Sequence, residues 1–123
     1  MTTIKSSYRG ELRTEASHLQ SGTTLVTDAP VDNQGRGESF SPTDLVATGL
    51  ASCMLTIMGI VAERHGWDLT RATASASKVM AADPVRRIAR IEVTIEIPGT
   101  FDAQARAALE KAALGCPVHA TLG

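Results

Sequence analysis

The sequence predicts an α+β protein, because its helical and strand patterns occur in separate blocks of one short chain. Three observations support this class. A stretch without any charged residue runs from Leu45 to Val61, a second helical pattern follows Asp102, and residues 91–97 alternate between apolar and polar side chains. A chain of 123 residues is long enough for one small core, so we expect a single domain over residues 1–123.

Composition argues against several classes of protein. With 43% hydrophobic and 20% charged residues, the chain is not expected to be disordered. Its formal net charge is -1 and it has no basic run, so nothing indicates a nucleic-acid partner. The N-terminus lacks the apolar stretch of a secretory signal, so we expect a cytoplasmic, reducing location. In such a location, two cysteines are more often reduced, catalytic or metal-binding than permanently disulfide-bonded.

The first part of the chain is predicted to contain strands, a loop and a helix start. Residues 3–27 carry β-branched side chains bounded by Gly, Ser, Asp and Pro, which is typical of strands, and residues 28–40 are rich in turn formers. Ser41 is expected to cap a long helix, with Pro42 at its first position and Asp44 completing a variant capping box. The helix is expected to end near Gly66.

The alternative interpretation of this long apolar helix is a membrane span. Residues 45–62 would cover about 27 Å, near the lower limit for a bilayer. Polar residues recur along the stretch at helical spacing (Thr48, Ser52 and Thr56), and the remainder of the chain has its own core pattern. We therefore expect a buried core helix and no membrane contact. Because the helix is apolar nearly all round, we expect a second copy of the chain to cover one side of it in a homodimer.

The second half of the chain is predicted to form an antiparallel strand pair and another helix. Small residues alternate with Thr and Ser over residues 72–77, and the apolar residues of 91–97 alternate with polar ones. Asp102 is expected to cap a helix that ends at Gly115. Cys116 precedes a proline and could therefore cap one further short turn.

Cys53 lies in the middle of the long helix. Helical side chains lean over the residue four positions earlier, which is Gly49, so the thiol is expected to face a small space. A small substrate or a partner thiol could fit there. The alternative is an inert buried cysteine whose apolar surroundings raise its pKa. Reactivity would require a nearby cation, which one partly buried arginine could supply.

Cys116 is expected to lie at a helix end. If it caps the following turn, free backbone N–H groups would favour its thiolate. Otherwise it closes the apolar stripe of the preceding helix. His119 could be a ligand, a base or, most commonly for such a residue, a surface or packing residue. Because no C-x-x-C or H-x-x-H pair occurs, no structural zinc is expected.

The segment FSPTDLVATGLASCM, followed later by GCPVH, resembles the OsmC/Ohr family of osmotically inducible and organic-hydroperoxide-resistance proteins. The order of the predicted elements is similar as well, over nearly the whole chain. The resemblance implies an intertwined homodimer with a long buried central helix, active sites at the subunit interface, and no metal or bound cofactor. It implies a thiol-dependent peroxidase of organic hydroperoxides, with Cys53 as the peroxidatic and Cys116 as the resolving cysteine. A dithiol reductant, in this family often a lipoyl-bearing protein, would reopen their disulfide.

The helix start departs from the pattern of the family's peroxidases. They usually have Glu directly after the proline, where it orients an arginine that activates the peroxidatic cysteine. Here that position is Thr43, followed by Asp44, which could substitute but is also explained by capping and points roughly away from Cys53. The candidate arginines, each of which could instead be a surface residue, are in order Arg36, Arg9 and Arg13.

The SPTDL start is closer to a less characterised branch of the family, whose substrates are less certain. Family chains usually continue past CPVH into a helical turn and a last strand, whereas this chain stops at Gly123, so the tail is either missing or shortened. Two alternatives to the peroxidase stay open. One is a non-catalytic dimer that binds a small apolar ligand, and the other is a redox switch that uses both cysteines.

Overall fold

The computed structural model describes all 123 residues and contains two compact units, Met1–Leu45 and Val46–Gly123. The α+β class and the antiparallel sheets are confirmed, and the single domain stays a prediction. A short 3-10 turn, Val31–Asn33, lies inside the predicted loop. In chain order the elements are β1 (Ile4–Gly10), β2 (Arg13–His18), β3 (Thr24–Asp28), α1 (Pro42–His65), β4 (Thr73–Ala81), β5 (Arg87–Glu96), α2 (Ala103–Leu114) and α3 (Pro117–Leu122).

The first unit contains an antiparallel sheet with the order β1-β2-β3. Glu11 and Leu12 form the turn between β1 and β2, and both have positive φ angles, 55° and 63°. Two such residues match the right-handed twist of a tight hairpin, although side chains other than glycine adopt this conformation less readily. The sheet places Arg13 of β2 directly opposite Asp28 of β3.

Asp28 is the buried centre of a charged cluster in this unit. Its side chain is fully buried, and its Oδ2 atom accepts a hydrogen bond from the backbone N–H of Glu38 at 3.0 Å. The Arg13 guanidinium lies 3.6 Å from the Asp28 carboxylate and 2.6 Å from that of Glu38. The Glu38 N–H lowers the pKa of Asp28, burial opposes this effect, and the Arg13 charge reinforces it, so that the pKa is below its usual value. The cluster therefore ties the loop to β2 and β3.

We expect the stability of the protein to depend on the charge of Asp28. A carboxyl group whose pKa is lower in the folded than in the unfolded chain contributes stability above its unfolded value of about 4. That contribution is lost as the pH falls through the folded pKa. Asp28→Asn should therefore lower the urea midpoint at pH 7, and its difference from the wild type should shrink at acidic pH. Glu11→Gln, at a carboxylate whose side chain is 70% exposed, is the control and should change little. A difference for Asp28→Asn that stays constant with pH would contradict this account.

The ends of α1 follow its local sequence. Ser41 Oγ accepts a hydrogen bond from the N–H of Asp44 at 3.0 Å, and Asp44 Oδ2 accepts one from the N–H of Ser41 at 2.9 Å. This reciprocal pair confirms the predicted capping box. At the other end, Gly66 has a φ of 70° and the N–H of Trp67 donates to the carbonyl of Ala62 at 2.9 Å. This is the pattern of a Schellman motif, and it confirms the predicted end of the helix.

The core of the second unit lies between two helices and one side of the β4–β5 hairpin. Its centre consists of five buried residues, Met58 and Ala62 of α1 with Leu109, Ala112 and Ala113 of α2. The partly buried Ile95 and Ile97 pack against these five. Ala74 and Ala76 pair with Ile95 and Val93, so small and apolar side chains share one face of the hairpin. The alternation predicted for residues 91–97 is therefore confirmed by the burial pattern of β5.

Helix α1 is apolar beyond the part that is buried. By length and composition alone it could cross a membrane, a test that core helices of soluble proteins also pass. Its Met58 and Ala62 are buried in the core, each with only 1% of its surface exposed. Of the 18 residues in its most apolar stretch, however, only 28% are buried in the single chain. Val46 and Ile60 are 37% and 44% exposed. An apolar surface is thus left for a further partner, and the predicted homodimer stays a prediction.

Candidate active site

Cys53 occupies the middle of α1, where it is half-buried and reduced. A methyl group placed on Gly49, one turn earlier, would meet no atom within 4 Å. The thiol is thus close to open space and is not enclosed by the core that surrounds Met58.

Cys116 occupies the junction between α2 and α3. The N–H of Gly115 closes α2 on the carbonyls of Lys111 and Ala112, both at 3.1 Å, and Pro117 begins α3. Cys116 is the N-cap of α3, and its sulfur accepts a hydrogen bond from the N–H of His119 at 3.3 Å. Of the two roles that the sequence left open for Cys116, the structure shows the cap. In contrast to Cys53, Cys116 is fully buried.

The two thiols, far apart in the sequence, are neighbours in the folded unit. Their sulfurs are in hydrogen-bond contact, and the backbone N–H of Val118 interacts with both of them. Both cysteines are reduced, so the pair is a dithiol. A disulfide between them would require the two sulfurs to approach to about 2.05 Å.

The contact between the thiols shifts their pKa values in opposite directions. The hydrogen bond to Cys116 raises the pKa of Cys53; the Val118 N–H opposes this effect, and burial reinforces it. Burial raises the pKa of Cys116, but the hydrogen bonds from Cys53 and from the N–H groups of His119 and Val118 together outweigh burial and lower it. Within Val46–Gly123 no arginine contributes to either shift.

The other predicted site residues belong to the first unit, and each has a partner there. Arg36 is 3.5 Å from the Glu11 carboxylate, Arg9 is 3.0 Å from Glu15, and Arg13 belongs to the Asp28 cluster. Asp44 forms the capping box. Their roles in activating Cys53 stay predictions. Across all 123 residues, no three His, Cys, Asp or Glu side chains lie close enough to hold a metal ion.

A cavity of about 330 Å³ lies among α1, β5 and α3. Leu50, one turn before Cys53, and His119, one turn after Cys116, are in its wall, although neither sulfur is. A β-bulge opposite Val79 and Met80 shifts the register of β5 at this point. The remaining lining residues are Val46, Ile88, Ala89, Arg90, Ile91, Leu122 and Gly123. The sequence did not indicate this cavity, because the β-bulge that shifts its wall has no side-chain signature.

Comparison with known families identifies the family to which this chain belongs. Residues 35–123 match the family model described as OsmC-like protein. The chain belongs to the OsmC-like family. No match was found among proteins of curated function. The family resemblance inferred from the two cysteine motifs is therefore confirmed.

Solved structures of OsmC-like proteins share the fold. A Psychrobacter arcticus protein, provisionally named as an osmotic stress induced and detoxification response protein, is 51% identical with a TM-score of 0.94 over 100% of this chain and 89% of that one. An organic hydroperoxide resistance protein OsmC of Legionella pneumophila is 22% identical, with a TM-score of 0.73 over 99% and 88% of the two chains. A Vibrio cholerae protein, provisionally named for organic hydroperoxide resistance and solved with captopril in one active site, is 19% identical, with a TM-score of 0.74 over 99% and 85%.

Proposed function

We propose that this OsmC-like protein is a thiol-dependent peroxidase that reduces organic hydroperoxides with Cys53 and Cys116. The observation that carries the proposal is the contact between two reduced thiols, one accessible and one buried. Membership of the OsmC-like family supports it, because structural relatives include proteins named for organic hydroperoxide resistance. The two sulfurs supply the two electrons that reduction of a peroxide requires.

Exposure favours Cys53 as the thiol that attacks the peroxide. Cys53 is half-buried next to the open space at Gly49, whereas Cys116 has no exposed surface. Attack on the terminal peroxide oxygen leaves a sulfenic acid on Cys53 and releases an alcohol. Cys116 then displaces hydroxide from that sulfur to form the disulfide, which an external dithiol reduces. Each turnover converts one hydroperoxide and two thiols to one alcohol, one water and one disulfide.

The surroundings of the thiols favour an organic hydroperoxide over hydrogen peroxide. The cavity among α1, β5 and α3 has both polar and apolar walls, with Val46, Leu50 and Ile88 among its apolar lining residues, and is within the size range of small-molecule sites. We propose that a second copy of the chain covers the apolar surface that α1 leaves exposed, so that the sites lie near the interface of a homodimer. A dithiol reductant, such as a lipoyl-bearing protein, and a reducing cytoplasm belong to the same proposal.

The proposal is tested by peroxide consumption with purified protein. With dihydrolipoamide as the reductant, we expect catalytic loss of cumene hydroperoxide, with kcat/KM at least about tenfold above that for hydrogen peroxide. One equivalent of cumene hydroperoxide without reductant should join Cys53 to Cys116, which peptide mass spectrometry detects. Loss of cumene hydroperoxide no faster than in protein-free buffer would refute the proposal.

Two observations favour a second candidate, a non-catalytic dimer that binds a small apolar ligand. The raised pKa of Cys53 is the property of a poorly reactive thiol, and the family's glutamate position is Thr43. This candidate predicts slow alkylation of Cys53 near neutral pH and no turnover. Rapid labelling of Cys53 by iodoacetamide at pH 6 would count against it.

A further inference from the structure

Charge is distributed unevenly along the β4–β5 hairpin and the segment that follows it. Residues 78–90 contain four cations and a single acid, Asp83, whereas residues 91–102 contain three carboxylates and no cation. The cations are Lys78, Arg86, Arg87 and Arg90. Since the whole chain has a net charge of -1, positive charge is concentrated towards the closed end of the hairpin. A local field of this kind attracts an acidic partner and raises its rate of association.

Three exposed arginines form a surface that is called the basic end below: Arg86, Arg87 and Arg90. The Nη1 atom of Arg87 donates hydrogen bonds to the carbonyls of Asp83 at 2.8 Å and Val85 at 3.3 Å, which holds its side chain against the turn. Arg90 Nε lies 3.0 Å from the Glu92 carboxylate, and the Arg90 side chain is 64% exposed. A guanidinium has five N–H donors, so one that is held on a single side still presents others to a carboxylate.

The basic end lies beside the cavity near the two thiols. Arg90 is in the wall of that cavity, together with Leu50 and His119. Leu50 lies one turn before Cys53, and the backbone N–H of His119 donates to the Cys116 sulfur at 3.3 Å. A partner bound at the basic end is thus on the side of the unit where α1 and α3 bring the thiols together.

We propose that the basic end is the docking surface for the dithiol reductant, and that it selects a reductant whose dithiol is flanked by carboxylates. This inference rests on the proposed peroxidase function and adds the recognition of the partner that completes each turnover. Carboxylates of the partner pair with the guanidinium groups, and its dithiol, on a flexible side chain, extends past the cavity towards the cysteines. Charges at the rim of an interface act mainly on the rate of association and on the choice of partner.

The charge pattern favours an acidic protein over an anionic membrane. Alternate residues of a strand share a face, so Glu92 and Glu96 lie on the same face of β5 as Arg90. These carboxylates would repel a flat, uniformly negative surface, whereas a compact acidic segment at the basic end avoids them. Membrane-bound segments also combine basic residues with several large apolar ones. The exposed large apolar side chain at this turn is Val85 alone, which is 62% exposed.

The reduction that this docking supports is a thiol–disulfide exchange. One thiolate of the partner attacks a sulfur of the Cys53–Cys116 disulfide, which breaks the S–S bond and forms a mixed disulfide. The partner's second thiol then displaces the protein sulfur from the mixed disulfide. Two electrons and two protons pass to the cysteines, and the partner leaves as a cyclic disulfide.

Reduction by charged dithiol peptides tests the docking surface in the full-length protein. The Cys53–Cys116 disulfide is formed with diamide and is then reduced by dihydrolipoyl-lysine peptides whose flanking residues are glutamate, serine or lysine. At about 10 mM salt, where charges act over about 30 Å, the second-order rate constant of the glutamate peptide should exceed that of the lysine peptide at least about tenfold. The serine peptide should lie between them. At about 1 M salt the ratio should fall below about twofold.

Replacement of all three arginines of the basic end by glutamine should abolish the preference. In R86Q/R87Q/R90Q the rate constants of the three peptides should agree within about twofold at low salt, because the charges that distinguish them are gone. Reduction by free dihydrolipoamide, which is uncharged, should stay at the wild-type rate. If circular dichroism shows that this variant does not fold, Arg90→Gln alone should lower the ratio about two- to threefold.

A matched control removes three positive charges elsewhere in the same unit. R64Q/R106Q/K111Q changes exposed residues of α1 and α2 and should keep the preference for the glutamate peptide. An unchanged ratio in R86Q/R87Q/R90Q, or an equal loss of the preference in the control, would overturn the inference.

The outcomes separate this inference from the proposed function. Equal reduction by all three peptides, in a protein that still consumes cumene hydroperoxide with dihydrolipoamide, would support the peroxidase and refute the docking surface. A preference for the glutamate peptide without any consumption of hydroperoxide would support the docking surface and refute the peroxidase. Cosedimentation with phosphatidylglycerol vesicles that R86Q/R87Q/R90Q abolishes would overturn the inference in favour of a membrane surface.

Discussion

Cys53→Ser is expected to lower kcat/KM for cumene hydroperoxide by more than about 10³-fold, which corresponds to about 4 kcal/mol of lost transition-state stabilisation. A peroxide cannot oxidise a serine hydroxyl by two electrons as it oxidises a thiol, so no sulfenic acid can form. Because Cys53 is half-buried beside open space, the substitution should leave the fold intact. Steady-state consumption of hydroperoxide with dihydrolipoamide measures the loss.

Two further variants show whether the loss belongs to the thiol. Ser52→Ala changes the neighbouring, exposed residue of α1 and should retain nearly full activity. Cys116→Ser should still consume about one equivalent of hydroperoxide per protomer, because its Cys53 can be oxidised once, and should then stop unless a thiol reduces the sulfenic acid. Retention of more than a tenth of wild-type kcat/KM by Cys53→Ser would exclude Cys53 as the attacking residue.

The ends of the helices could be predicted from the sequence because capping is local. Each cap side chain accepts a hydrogen bond from a backbone N–H three residues later in the sequence. This holds for Ser41, Asp102 and Cys116. Such contacts depend on side-chain length and backbone direction alone, and both are encoded in short segments. Capping was therefore one of the two roles predicted for Cys116, without knowledge of which elements pack around it.

The contact between Cys53 and Cys116 was not predictable from spacing and came only from the family resemblance. One sulfur is presented by the middle of α1 and the other by the start of α3, so the contact depends on how α1, α2 and the hairpin pack. Periodicity identifies the apolar faces that meet but not the rotation that brings two particular atoms together. The same limit applies to the β5 bulge, which shapes the cavity wall.

The acidity of the thiols was the least predictable property of the candidate site. The sequence led to the expectation of a cation near Cys53, with Arg36 as the first candidate, because a charge is the partner that a sequence displays. Within the second unit, the groups that set the two pKa values are the other thiol and the N–H groups of Val118 and His119. Backbone donors carry no residue-type signal, so their effect becomes visible only in three dimensions.

Leu109→Ala is expected to cause the largest loss of stability, about 2–5 kcal/mol in the free energy of unfolding. Leu109 is fully buried between α1 and α2, and its neighbours on α2, Ala112 and Ala113, are too small to fill the cavity. Urea denaturation measures the effect. Leu114→Ala, on the same helix but 63% exposed, is the matched control and should change stability by less than about 0.5 kcal/mol.

The same substitution probes how the core positions the thiols. Leu109 packs against α1, which carries Cys53, and its own helix leads directly into the Cys116 cap. A loosened contact between the two helices should separate the sulfurs part of the time, because this packing helps to hold the cap next to the mid-helix thiol. Leu109→Ala should therefore slow formation of the Cys53–Cys116 disulfide after oxidation, whereas Leu114→Ala should not. Equal rates of disulfide formation in both variants would mean that the core does not determine the contact between the sulfurs.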